Sequence, residues 1–212
     1  MGADREPHRG TVDTEEFAPR FLHARLAGFD KDMRICLSPV RSSTRPGITH
    51  AYFPALGACC GLLEYMAGLA RGNIRGIGWP QVADWAERFL VQPDYDRQTM
   101  RVLVEAIRHP VAHRGIASGV WIDHNQGPHR GRRLTWKVAA DALRPAVRVV
   151  PENGSLTKDP PWPCGYTHRL HVHLRGLSVD LRNGVKGYAD ALAVDRQLQG
   201  NFDRAMRQLY PR

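Results

Sequence analysis

The sequence predicts a mainly α-helical domain with a small antiparallel β insertion (about 118–175) ahead of a long C-terminal helix. Three observations predict it. Apolar residues recur at helical spacing through the first half of the chain, the period changes to alternation after Gly115, and the helical period returns from Gly176. With 212 residues and 42% hydrophobic content, the chain can form one domain of ordinary size with its own core. The expected organisation is a loose tail over 1–14, then a single domain over 15–212 in which 116–175 form the β-rich insertion.

The first helix is expected from Glu15 to about Cys36, where Phe17, Phe21, Leu22, Leu26 and Phe29 share a face. A polar loop with Pro39, Pro46 and Gly47 follows. Ala51 to Ala70 is apolar on nearly all sides, which marks a buried helix, and Glu64 is the one charged residue in it. A carboxylate there must be paired, sit at the core's edge, or face a site. Arg71, Gly72 and Asn73 close this helix. A shorter helix covers Pro80 to Leu90, with Pro80 suited to a first turn. Another starts near Tyr95 and carries Met100, Leu103, Val104 and Ile107 on one face.

Beyond Gly115, Val120 and Ile122 alternate with Trp121 and Asp123, and Leu134, Trp136 and Val138 alternate with Thr135 and Lys137. Asn125 to Gly131 reads as a hairpin loop between them. Ala146 to Val150 adds a strand, Pro151 to Gly165 reads as a long proline-rich loop, and Leu170, Val172 and Leu174 form a further strand. The last helical pattern runs from Leu177 to Leu209, and its two halves do not share one stripe, so a bend is expected near 193–200.

The net charge is +9, from 30 basic and 21 acidic residues, and only Lys31, Lys137, Lys158 and Lys186 among the basic residues are lysine. Arginine forks suit bidentate phosphate contact, and the positive balance favours an anionic partner such as nucleic acid. GC-rich coding alone would also raise arginine. Cys36, Cys59, Cys60 and Cys164 form no CxxC pair, so neither a disulfide framework nor a zinc site is expected. Met1 opens a polar segment rather than a signal peptide, and no uninterrupted apolar run approaches about 18 residues. A cytoplasmic protein with no membrane span is the expectation.

The segment Arg108-His109-Pro110-Val111-Ala112-His113-Arg114-Gly115 carries most of the chemistry. A histidine titrates near neutral pH and can move the proton of a ribose hydroxyl, while an arginine holds a phosphate through a permanently charged fork. On a regular helix, positions five apart point about 140° from each other. Pro110 disfavours helical geometry at His109, so a kink inside the motif is expected to help Arg108 and His113 converge. The same residues would also serve as helix-end cations, with Gly115 as cap.

This Arg-x4-His spacing, with the polar His109 right after Arg108 and an apolar helix bearing Glu64 upstream, resembles the HEPN domain family over roughly residues 15–115. The resemblance implies a HEPN-like helical bundle. It also implies a metal-independent endoribonuclease needing no cofactor, a toxin or defence effector that cleaves RNA by attack of the 2′-hydroxyl. It further implies a homodimer that joins two motifs, and a partner such as an antitoxin or another defence-system protein. His113 would then transfer the proton, Arg108 would neutralise charge on phosphorus, His109 would orient substrate, and Glu64 would fix the Arg108 fork. The other reading is a non-catalytic HEPN-like protein that binds a nucleotide or RNA, or acts as a scaffold.

Arg114, Arg130, Arg132 and Arg133 are candidate RNA-backbone contacts, and the hairpin arginines would equally suit duplex DNA. A solvated charged loop is the plainer reading. Trp121 and Trp136 could stack bases or pack within the hairpin. His171 and His173, two apart on one strand face, could offer imidazoles to a metal, with Asp180 near in sequence. No Cys or carboxylate at useful spacing completes that set, and no metal is expected.

Overall fold

A helix that is apolar all round must be enclosed, and the rest of the chain is arranged to enclose one. The computed structural model describes residues 14–41, 48–108, 119–126, 128–157 and 162–211. In chain order come α1 (Thr14–Cys36), β1 (Val40–Arg41), β2 (Ile48–Thr49), α2 (Tyr52–Arg71), α3 (Trp79–Phe89) and α4 (Arg97–Val102), which passes directly into a π-helical turn, Leu103–Arg108. Then follow β3 (Trp121–Ile122), β4 (Arg133–Ala139), β5 (Val147–Leu156), β6 (Cys164–His173), α5 (Leu174–Leu192) and α6 (Arg196–Leu209).

The apolar helix α2 sits at the centre and packs against α1, α3, α5, α6 and the π turn. Leu56, Cys59, Leu63, Met66 and Leu69 are at most 1% exposed. Burying each large side chain of this kind stabilises the fold by about 1.5–3 kcal/mol. By length and composition α2 could cross a membrane, since one 18-residue window has a mean hydropathy of 1.4, although 56% of that window is buried inside the protein. Interruption by Gly57, Gly61 and Glu64 hides this run from an unbroken-stretch reading.

The ends of the helices show why they stop. Gly72 adopts φ 77° and closes α2, its N–H reaching the carbonyls of Gly68 and Leu69. A Cβ there would lie 3.0 Å from the Asn201 backbone, so α6 can approach only a glycine. In return α6 satisfies α2's last carbonyls: Asn201 Nδ2 donates to Ala70 O (2.6 Å) and Gln208 Nε2 to Gly72 O (3.2 Å). Asp96 caps α4 by accepting from the Gln98 and Thr99 amides. Asp195 does the same for α6, and makes the bend between the last two helices a break.

The expectation of a mainly α, HEPN-like bundle bearing a small antiparallel insertion is corrected: the fold is mixed α/β. Its four-stranded sheet has the order β3-β4-β6-β5. Strand β6 runs parallel to β4, with Trp136 opposite Leu170, and antiparallel to β5, with Val149 opposite Leu170. Alternation identifies a strand but does not fix its neighbours or direction, so a run of hairpins was the default reading. Half of the expected Pro151–Gly165 loop is strand, because a register shift between Pro151 and Gly154 absorbs the proline in the pairing. Leu134, Val147, Leu170 and Val172 belong to the same apolar cluster as the helices, and β6 runs straight into α5. The sheet is thus one wall of the core.

A buried ion pair joins sheet and helices. Arg101 of α4 donates from Nη1 to Asp123 Oδ1 (3.1 Å) and from Nη2 to the other oxygen, with side chains 7% and 1% exposed. Nearby, Asn125 Nδ2 donates to Glu105 Oε2 (3.3 Å). Arg101 also lies 3.9 Å from Glu105, so it is removal of Arg101 that strands a charge, the Asp123 carboxylate. Arg101→Ala is expected to lower stability by about 3–5 kcal/mol. Equilibrium urea unfolding checks this, and a loss below about 1 kcal/mol, the size expected of an exposed pair, would refute it.

Candidate functional site

Arg108 is the last residue of the π turn, and that winding decides where it points. On a continued α-helix it would lie roughly 140° around from Leu103, which is fully buried. A π turn closes i→i+5 bonds and brings positions five apart to neighbouring azimuths. Arg108 is therefore turned towards the core side, where α2 presents Glu64. Arg108 Nη2 donates to Glu64 Oε2 at 2.5 Å, with side chains 28% and 14% exposed. Glu64 Oε1 is buried and has no hydrogen-bond partner among the described residues. The α2 carboxylate is thus paired at the core's edge, and only part of its accepting capacity is used.

The pair lies in a cleft of about 170 Å³ lined by Leu56, Gly57, Cys60, Gly61, Glu64, Ile107 and Arg108. Two glycines on α2 leave its wall open beside the guanidinium. Burial, reinforced by the Glu64 carboxylate and opposed by Arg108, pushes the Cys60 thiol up to about 12. Burial likewise pushes Cys59 up. Neither thiol is a nucleophile near neutral pH. What the cleft offers is one oriented guanidinium, fit to hold a phosphate oxygen.

His109, His113 and Arg114 lie outside the described residues, as does Pro110. Of the expected site, Arg108 and Glu64 are brought together. Arg130, Arg132 and Arg133 sit on the β3–β4 connection and the start of β4. Arg130 is exposed and donates to Gln126 Oε1 (3.1 Å). Arg132 lies near His168, whose basicity falls through burial, Arg132 and His129. The Arg133 guanidinium occupies the space that a side chain at Gly165 would fill. Trp136 packs edge-on against Phe53 of α2, with centroids 5.3 Å apart, and so forms part of the wall between sheet and helices.

Two histidines of β6 face carboxylates. His173 Nδ1 is 2.5 Å from Asp141 Oδ1, and His171 Nε2 is 3.9 Å from Glu152 Oε2. Asp180 is far from both roles: it accepts from Tyr95 Oη (2.5 Å) and pairs with Arg144. Among the described residues no group of three or more His, Cys, Asp or Glu is placed to hold a metal ion. Sequence reading missed the Arg101–Asp123 and Arg144–Asp180 pairs. The available signal was charge inside apolar patterns, Arg101 on a helix face and Asp123 in an alternating run. A second, larger cleft of about 480 Å³ lies among α2, α3 and α6, where Arg88 pairs with Asp195 (2.8 Å) and stacks over Phe89.

The chain matches no family model, no curated protein and no solved structure. The resemblance to the HEPN family therefore rests on the motif residues themselves.

Burial separates the thiols. Cys36 and Cys164 are half-buried, and Cys59 and Cys60 are buried. A chromogenic disulfide reagent at mildly alkaline pH should titrate two thiols in the native protein and all four after unfolding. Native-state reaction of Cys60 as fast as that of Cys36 would refute the burial of Cys60.

Proposed function

We propose that the protein is a metal-independent endoribonuclease that works through the Arg108–His113 motif. The observation that carries this reading is the Glu64–Arg108 pair. A carboxylate from the central helix fixes one nitrogen of the guanidinium, while Nε and Nη1 are unengaged among the described residues. A fixed, partly desolvated cation at the mouth of a cleft is preorganised for charge that grows on phosphorus during attack of the 2′-hydroxyl. His113, five residues on, supplies a group that titrates near neutral pH.

In this reading His113 removes the 2′-hydroxyl proton or protonates the leaving 5′-oxygen, and Arg108 neutralises the pentacoordinate centre. His109 orients the substrate. The products are a 2′,3′-cyclic phosphate and a 5′-hydroxyl, and the bond broken is the P–O5′ bond. Arg114, Arg130, Arg132 and Arg133 contact the backbone. A homodimer brings two motifs together, and a toxin or defence role with a restraining partner protein suits such an activity.

The test is cleavage of a labelled RNA pool in excess EDTA by wild type, His113→Ala and Arg108→Ala. Wild type is expected to leave cyclic phosphate ends, and each variant to be slower by about two orders of magnitude or more. No cleavage by any form would transfer the reading to non-catalytic RNA binding. Equal cleavage by all three would remove the motif from the chemistry.

A further inference from the structure

The two faces of the sheet are used differently. Leu134, Leu170, Val172 and Val147 turn to the helices and are at most 2% exposed. On the other face, register places Lys137 of β4 opposite His171 of β6, and Arg148 of β5 opposite the same His171. Three basic side chains therefore stand in one row across three adjacent strands. With strands about 4.8 Å apart, the row spans roughly 10 Å.

Lys137 and Arg148 are both exposed. Neither has an ion pair among the described residues. The nearby carboxylate, Glu152, is taken by Arg169, at 2.8 Å. His171 is correspondingly hard to protonate: burial lowers its basicity most, then Arg148 and Lys137, while Glu152 opposes them and Arg169 adds to the lowering. Like charges directly across strands destabilise a sheet, and strand faces ordinarily alternate sign. Here Glu152 lies 2.8 Å from Arg169 and 3.9 Å from His171, and Lys137 and Arg148 have no ion pair among the described residues. Arg133 extends the strip along β4, since it lies over Gly165 on this face. From Arg133 to Lys137 the strand advances roughly 13 Å.

We infer that this outward face of the sheet, centred on Lys137, His171 and Arg148, is a docking strip for the phosphodiester backbone of an RNA strand. The strip rests on the ribonuclease reading for the choice of RNA, and on the two exposed cations, Lys137 and Arg148, that flank His171 for the choice of a polyanion. Exposed cations in a row track successive phosphates without reading bases. It would hold a substrate strand away from the Arg108 cleft, so that binding and cleavage draw on separate residues.

Binding of a short, labelled 2′-O-methyl RNA strand tests this, because that strand lacks the attacking hydroxyl and cannot be cleaved. Fluorescence polarisation would compare wild type with the double variant Lys137→Gln/Arg148→Gln over a salt series. The double variant is expected to bind about tenfold more weakly. Its slope of log affinity against log salt should be shallower by about 1.4, two lost contacts at roughly 0.7 each. Its thermal midpoint should equal or exceed that of wild type, since repulsion is relieved. The exchange Lys137→Arg/Arg148→Lys keeps both charges and should retain wild-type binding, which guards against a folding artefact.

Unchanged affinity and slope in the double variant, or no retention of the strand by wild type at low salt, would overturn the strip. Equal binding of duplex DNA with the same loss would overturn its assignment to an RNA strand. Cleavage assays stay independent: a strip that binds in a protein that cleaves nothing removes only the nuclease reading.

Discussion

The enclosure of α2 is the constraint on which the rest depends. Five helical segments surround it, and each contributes an apolar face that would otherwise be exposed. Close packing at this centre sets small details elsewhere. Gly72 must be glycine because α6 crosses there, and Gly184 of α5 leaves room for the Leu90 and Trp85 side chains. Inside such a helix a carboxylate is costly, and Glu64 is tolerated because Arg108 reaches it. The π winding of residues 103–108 is what allows that reach. A core requirement and a candidate phosphate-binding group thus meet in one ion pair.

Much of the helical part was legible, because period, caps and breakers are local. The apolar stripe of α1, the all-apolar α2, the Pro80 start of α3 and the interruption near 193–200 all lie within one or two turns of sequence. The sheet was less legible for a physical reason. Strand order and direction are set by which edges meet after collapse, and β6 finds β4 on one side and β5 on the other without any local signal. The π turn was also hidden. Leu103, Val104 and Ile107 fit α spacing equally well, so the apolar pattern carries no signal of the wider winding. Glu64 itself was legible as an anomaly, since a lone charge on an apolar helix demands an explanation wherever it occurs.

The basic composition resolves into two populations. One is paired with carboxylates: the buried Arg101 with Asp123, the partly exposed Arg108 with Glu64, and the exposed Arg144 with the buried Asp180. These arginines hold elements together, and their guanidinium planes are suited to bridging a carboxylate between helices or from helix to sheet. Several surface carboxylates are also engaged, Asp30 by Arg182, Asp84 by Arg97 and Asp195 by Arg88.

The second population follows from the first by charge balance. A chain with 30 basic and 21 acidic residues that commits its carboxylates to structural pairs must leave cations without partners. Their placement is not forced by that sum. Spread evenly, they would only keep the protein soluble. Lys137 and Arg148 instead flank one histidine on one sheet face, and both lower its basicity. A fold that merely needed positive charge could place it on any exposed helix turn at less cost. Two such cations on a single pleated surface are an arrangement that a polyanion would reward, and the proposed docking strip lies on the sheet face opposite the helices that carry the proposed Arg108 site.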